Sequence, residues 1–175
     1  FYYGFNLFEK KIRLGILSKT EHFRVSLFDL QLIVKDKLGL PPGTTITPIA
    51  TSEEMEIPTK ILSQEIESSN YHFTNLPEAQ YKIQISYKTF LDEITVRIPD
   101  LSDTVEMEFS PMFQLTTTVF DSRGSTLSNM AIEITRGGIS VQNTTDTNGM
   151  TTFSIPVGNY VVQASSDGVG LYERS

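Results

Sequence analysis

The chain matches itself, and that repeat limits its fold more than any local propensity does. Residues 28–39, "FDLQLIVKDKLG", lie over residues 113–124, "FQLTTTVFDSRG", with Phe, Leu, Val, Asp and Gly at identical spacings. Further on, residues 71–86, "YHFTNLPEAQYKIQIS", lie over residues 151–165, "TTFSIPVGNYVVQAS". A gap of one residue pairs Phe73 with Phe153, Pro77 with Pro156 and Tyr81 with Tyr160. Whatever one copy folds into, the other must fold into as well.

Each copy opens with an alternating strand that closes on Asp-x-x-Gly. Later it carries a strand, a Pro-centred turn and a strand opening on Tyr. Period-two alternation, as in Tyr160, Val162 and Ala164, turns one face inward and the other outward, which is the mark of a half-buried β-strand. Pro156 cannot donate to a ladder and Gly158 tolerates a tight reversal, so together they end one strand and turn the chain. Tyr160 restarts it. Further strands are expected in "TTITPIAT", "EITVRIP", "TVEMEFS", "MAIEITR" and "ISVQN". Helical signal is almost absent, and the one helix-like stretch, "SEEMEIPTKILSQEIE", is interrupted by Pro58 and reads as loop plus strand. Many short strands with Gly and Pro turns predict an all-β sandwich. The expected division is a first module over residues 26–110 and a second over 111–175, joined near Ser110 and Pro111. In the opening strands Phe28, Leu30, Leu32 and Val34 are expected on one face, and so are Phe113, Leu115, Thr117 and Val119.

A third, partial copy stands at the front. Residues 12–25, "IRLGILSKTEHFRV", lie without a gap over residues 96–109, "VRIPDLSDTVEMEF". Arg13, Leu17, Ser18 and Thr20 match Arg97, Leu101, Ser102 and Thr104, while Phe23 and Val25 fall on Met107 and Phe109. Residues 1–25 therefore read as the closing strands of a preceding or partner module, and the second module reads as lacking its own. Two explanations stand: a piece of a longer array whose ends fall inside modules, or subunits that complete one another. In the second, Ile12, Leu14, Phe23 and Val25 are the alternating side chains of a donor strand. Residues 1–25 hold five basic and two acidic side chains, a net of +3, which leaves −10 on the rest of a chain whose total is −7. Opposite signs favour head-to-tail meeting, modestly at physiological salt.

Three motifs in the second module carry a family resemblance: V-x-D-x-x-G-x-x-L (Val119, Asp121, Gly124, Leu127), T-D-x-N-G (residues 145–149) and F-x-I-P-x-G-x-Y (residues 153–160). Through them the module resembles the carboxypeptidase-regulatory-like and collagen-adhesin B-type family of prealbumin-like β-sandwiches. The first module keeps the opening and the Tyr81 strand but lacks the D-x-N-G turn. The resemblance implies all-β, tandem immunoglobulin-like or prealbumin-like β-sandwich modules that serve as extracellular stalks, spacers or adhesive units and are rarely catalytic. Some members carry a Lys to Asn isopeptide bond. Lys35 stands where that lysine would, but its counterpart is Phe120 and no closing Asn is evident.

Chemistry-bearing patterns are sparse. With 21 acidic against 14 basic residues the chain does not suit a nucleic-acid backbone or an anionic membrane as its main partner. No apolar run approaches the length of a membrane span. The chain contains no cysteine, which leaves the redox compartment open. His22 and His72 are too few for a histidine-built metal site and read as exposed polar positions on strands. "DTNG", with Asp121, offers oxygen ligands for calcium, but its spacing without further acids reads as a turn. No nucleophile, metalloprotease or nucleotide-binding fingerprint occurs. Asn143 opens the N-glycosylation sequon "NTT". No catalytic, cofactor or metal residue is expected. The chain reads as a non-enzymatic structural module of a cell-surface or extracellular protein, with copies of itself or neighbouring modules as partners. The alternatives are an adhesive module for carbohydrate or protein, which would need exposed planar aromatics, and an accessory domain of a secreted enzyme.

Overall fold

The computed structural model describes residues 5, 9, 22, 24–99, 103–166 and 169–174, the last of these through the backbone. Every regular element among them is a β-strand. The chain divides into two compact units: the described residues up to Val34 with Ile46–Met107, and Lys35–Thr45 with Glu108 onward.

The first unit is built from β1 (Leu27–Lys35), β2 (Ile49–Thr51), β3 (Ile61–Leu62), β4 (Gln64–Glu67), β5 (Asn70–Pro77), β6 (Ala79–Tyr87), β7 (Phe90–Ile98) and β8 (Thr104–Glu108). The division between units falls within the ends of β1 and β8. The strands form two sheets, ordered β4-β5-β1-β8 and β3-β2-β6-β7. Alternation decides what each buries. Leu30, Leu32 and Val34 of β1 are at most 2% exposed, and Phe73, Tyr81, Ile83 and Ile85 from β5 and β6 are wholly buried. At roughly 1.5–3 kcal/mol for each large apolar side chain, this core is the main stabilising term. Phe5 joins it, 7% exposed, with its ring centroid 6.0 Å from that of Tyr81. The helix-like stretch around Pro58 is loop followed by β3 and β4, as its pattern predicts.

The second unit repeats this plan. Its strands are β9 (Met112–Thr118), β10 (Ala131–Arg136), β11 (Ile139–Thr144), β12 (Met150–Pro156), β13 (Val161–Ser166) and β14 (Val169–Arg174). Their orders are β12-β9 and β11-β10-β13-β14. By order and repeat, β9, β12, β13 and β14 occupy the places of β1, β5, β6 and β7. Met130, Ile132, Ile134, Phe153, Ile155 and Ala164 form the buried centre.

The matched residues do the same work in both units. The Tyr81 hydroxyl donates to the Pro77 carbonyl at 2.9 Å, and the Tyr160 hydroxyl donates to the Pro156 carbonyl at 2.9 Å. Each tyrosine thus ties a strand start to the corner before it, as in the tyrosine corner of immunoglobulin-type sandwiches. The one-residue gap in the repeat is a β-bulge. Between Leu30↔Phe73 and Phe28↔Leu76 two residues of β5 stand opposite Asp29, whereas the β9–β12 register is continuous. Asn75 takes up the extra residue at φ 56°, with its N–H held by Asp29 Oδ1 at 2.8 Å.

Candidate functional site

The two units differ along the first strand. In β1, Val34 N–H donates to the Ser69 carbonyl, so Leu30, Leu32 and Val34 bond toward β5 and the residues between them bond the other way. There Gln31 N–H donates to the Asp103 carbonyl at 2.7 Å, and the Lys35 carbonyl accepts from Phe109 N–H at 2.8 Å. This spacing is that of a parallel ladder with Gln31 beside Thr104 and Lys35 beside Glu108. β8 thereby closes the edge, and inward-facing Met107 and Phe109 are 4% and 0% exposed.

In β9 the same parity holds. Val119 N–H donates to the Gly149 carbonyl at 2.9 Å, so Phe113, Leu115 and Thr117 bond toward β12 and the backbone groups of Gln114, Thr116 and Thr118 face away. Among the described residues no strand lies on that side. The inward side chains record the difference. Leu115, Thr117 and Val119 keep the predicted alternation, yet all three are only half-buried where Leu30, Leu32 and Val34 are buried. The Thr117 hydroxyl is buried and has no hydrogen-bond partner. It stands at the position of Leu32.

Of the expected donor strand, Ile12, Leu14 and Phe23 lie outside the described residues. Val25 is described and is 40% exposed, whereas its counterpart Phe109 is wholly buried. His22 is exposed, and His72 is half-buried on β5 opposite Gln31 and Gln64.

A side-chain cluster that the sequence did not disclose fixes the start of the second unit. Asp36, 1% exposed, accepts from Arg136 at 2.5 Å and, through its other oxygen, from Leu38 and Leu40 N–H at 2.8 and 3.1 Å. Arg136 also donates to the Val157 and Pro41 carbonyls, and its guanidinium lies 5.7 Å from the Tyr160 ring centroid. Burial disfavours the guanidinium's charge, but bonding to Tyr160 and Asp36 outweighs it and holds the pKa above its ordinary value. Gly158 is required here, because a Cβ on it would stand 2.8 Å from Arg136 Nε.

The D-x-x-G motifs are turns of one design. In each, Asp Oδ1 accepts two backbone N–H groups and the Asp carbonyl accepts the Gly N–H: Asp36–Gly39, Asp121–Gly124 and Asp146–Gly149. The glycines have φ of 74°, 84° and 71°, which only glycine adopts at no steric cost. The "DTNG" carboxylate is thus engaged by Asn148 and Met150 N–H, which lower its pKa below the ordinary value.

Asn143 is exposed at the end of β11, with Oδ1 accepting from Thr144 N–H at 2.9 Å. The sequon's Thr145 is 2% exposed, and its hydroxyl donates to the Leu127 carbonyl and accepts from Met130 N–H. A threonine is therefore demanded at this position by the fold itself. In the first unit a cleft of about 400 Å³ lies between residues 51–54 and Gln80, Lys82 and Thr95; no aromatic side chain lines it, so it lacks the stacking plane sugars favour.

No family model matches the chain, and no curated protein sequence matches it. Among solved structures, the Bacillus anthracis TIE protein superposes with a TM-score of 0.39 at 18% identity, over 80% of this chain and 28% of that one. The Streptococcal ancillary pilin superposes with a TM-score of 0.32 at 12% identity, over 85% of this chain and 58% of that one. The chain thus spans less than two thirds of either.

Proposed function

We propose that the chain is a non-enzymatic structural segment of a cell-surface or extracellular protein, a stalk, surface-layer or filament unit whose modules follow one another head to tail. The observation that supports it is the use of one strand plan twice in succession, with the first unit's edge closed by β8 and the corresponding edge of the second open. Polar burial is spent on structure: Asp36 and Thr145 commit their side chains to turns and backbone groups. Glycosylation of Asn143 belongs to the same reading. It would precede closure of the fold around Thr145, since the acceptor sequence needs that hydroxyl, and peptide mass mapping of native material is its check.

The test of the surface reading is accessibility on intact source cells. Antibodies raised against the folded chain label unbroken cells, and external protease removes the signal. Labelling that requires lysis overturns it.

A further inference from the structure

We infer that the outer edge of β9 takes residues 20–25 of a second copy as a strand parallel to β9, in the register that β8 holds on β1. This rests on the head-to-tail reading and names the strand, its direction and its contacts.

The first unit supplies the template. Gln31 stands beside Thr104 and Lys35 beside Glu108, so inward-facing Leu32 lies next to Val105 and Val34 next to Met107. The repeat carries each position over: Leu32 becomes Thr117 and Val34 becomes Val119, while Val105, Met107 and Phe109 become Glu21, Phe23 and Val25. Phe23 then covers Val119. The informative pair is the other one. Leu32 and Val105, both apolar, are replaced together by Thr117 and Glu21, a hydroxyl donor and a carboxylate acceptor. The Thr117 hydroxyl is buried without a partner. A donor strand in this register sets the Glu21 carboxylate against it.

Three further observations agree. His22, Arg24 and Val25 are exposed in their own chain, and none of them lies in a strand. Residues 1–25 are net positive against a net negative remainder. The donor also runs directly into its own β1, as β8 runs into β9 after a short link. Open sheet edges are seldom left uncovered, and added strands take affinity from main-chain bonds and register from alternate side chains. Because donor and acceptor surfaces differ, the contact propagates into a filament unless it closes into a ring.

The register places Thr118 beside His22 of the other copy, and a chain without cysteine reports a new disulfide cleanly. Mixing the T118C chain with the H22C chain under mild oxidation is expected to give a covalent species of two 19.7 kDa chains. It forms faster than from H22C mixed with Q142C, which carries its cysteine on exposed β11. Equal rates overturn the proposal. So does a T118C/H22C double variant that closes within one chain at high dilution, which would mean the segment folds back. A second arm reads chemistry: sedimentation shows E21V associating roughly tenfold more weakly, as expected for a lost hydrogen bond to a charged group. E21V with T117L restores association by rebuilding the apolar pair of the first unit. A double variant as weak as E21V removes the Thr117–Glu21 contact. A chain labelled on intact cells that neither cross-links nor associates overturns this inference alone, whereas one that cross-links in this register yet is reached only after lysis overturns the surface reading alone.

Discussion

Arg136→Met probes the cluster that anchors residues 35–45 in the second unit. The substitution keeps an unbranched apolar stem and removes the charge. It strands the Asp36 carboxylate, 1% exposed, with two backbone N–H donors and no counter-charge. Removing one partner of a buried pair costs about 3–5 kcal/mol, because the other charge stays buried and uncompensated. Lost stacking on Tyr160 adds about 0.5–1 kcal/mol. Against a total of about 5–15 kcal/mol for a domain, this is a third or more. With a urea slope of about 2 kcal/mol/M, a loss of about 4 kcal/mol moves the midpoint down by about 2 M. The assay is urea unfolding read by hydrogen exchange, which reports β10 and β13 separately from β6; only the second unit is expected to shift. Asp36→Asn retains the turn's acceptor oxygen without the charge, so D36N/R136M is expected to recover more than half of the loss. A loss under about 1 kcal/mol for R136M, or a double variant no better than R136M, refutes the reasoning.

Three further outcomes are expected. Thr117→Val removes a buried, unpartnered hydroxyl at nearly constant volume and stabilises the second unit by about 1 kcal/mol in urea unfolding; destabilisation would show that the hydroxyl is bonded after all. Tyr81→Phe leaves the Pro77 carbonyl unpaired in a fully buried corner and costs about 1–3 kcal/mol, whereas Tyr160→Phe, at a partly buried corner, costs about 0.5–1.5 kcal/mol; thermal unfolding that reverses this order contradicts the burial argument. Asp146 titrates below its ordinary 3.8 because Met150 and Asn148 N–H hold the carboxylate. A lowered folded pKa means its contribution is present at neutral pH and lost as pH falls through the folded pKa. A carboxyl NMR titration with its midpoint at or above 3.8 would contradict this.

What could be read from the sequence are the features whose partners lie close along the chain. Alternation in β1 and β9 follows from a side-chain period of two. The three Asp-x-x-Gly turns join residues three and four apart, and each Tyr bonds a Pro carbonyl four residues back. The repeat carries these local devices twice, and so all-β tandem modules are legible from residue patterns. The gap between Phe73 and Pro77 was visible as one extra residue, but that it is a bulge with Asn75 at φ 56° required the Asp29 carboxylate on another strand.

The long-range pairings were not legible. Asp36 and Asp121 sit in the same motif, yet Asp36 is buried against Arg136, a hundred residues away, while Asp121 caps a turn. Nothing near either aspartate distinguishes them. Thr145 reads as part of a sequon and proves to be a buried hydroxyl bridging Leu127 and Met130. The open edge left a faint trace, the change from Leu32 to Thr117 between copies, which acquires meaning only beside the parallel β8 ladder. The sequence by itself determined the strands, their turns and their repetition, because period and turn chemistry act over a few residues. The tertiary structure alone decided which edge is closed, which charge is paired and which hydroxyl is left without a partner, because burial depends on what distant segments bring to the same place.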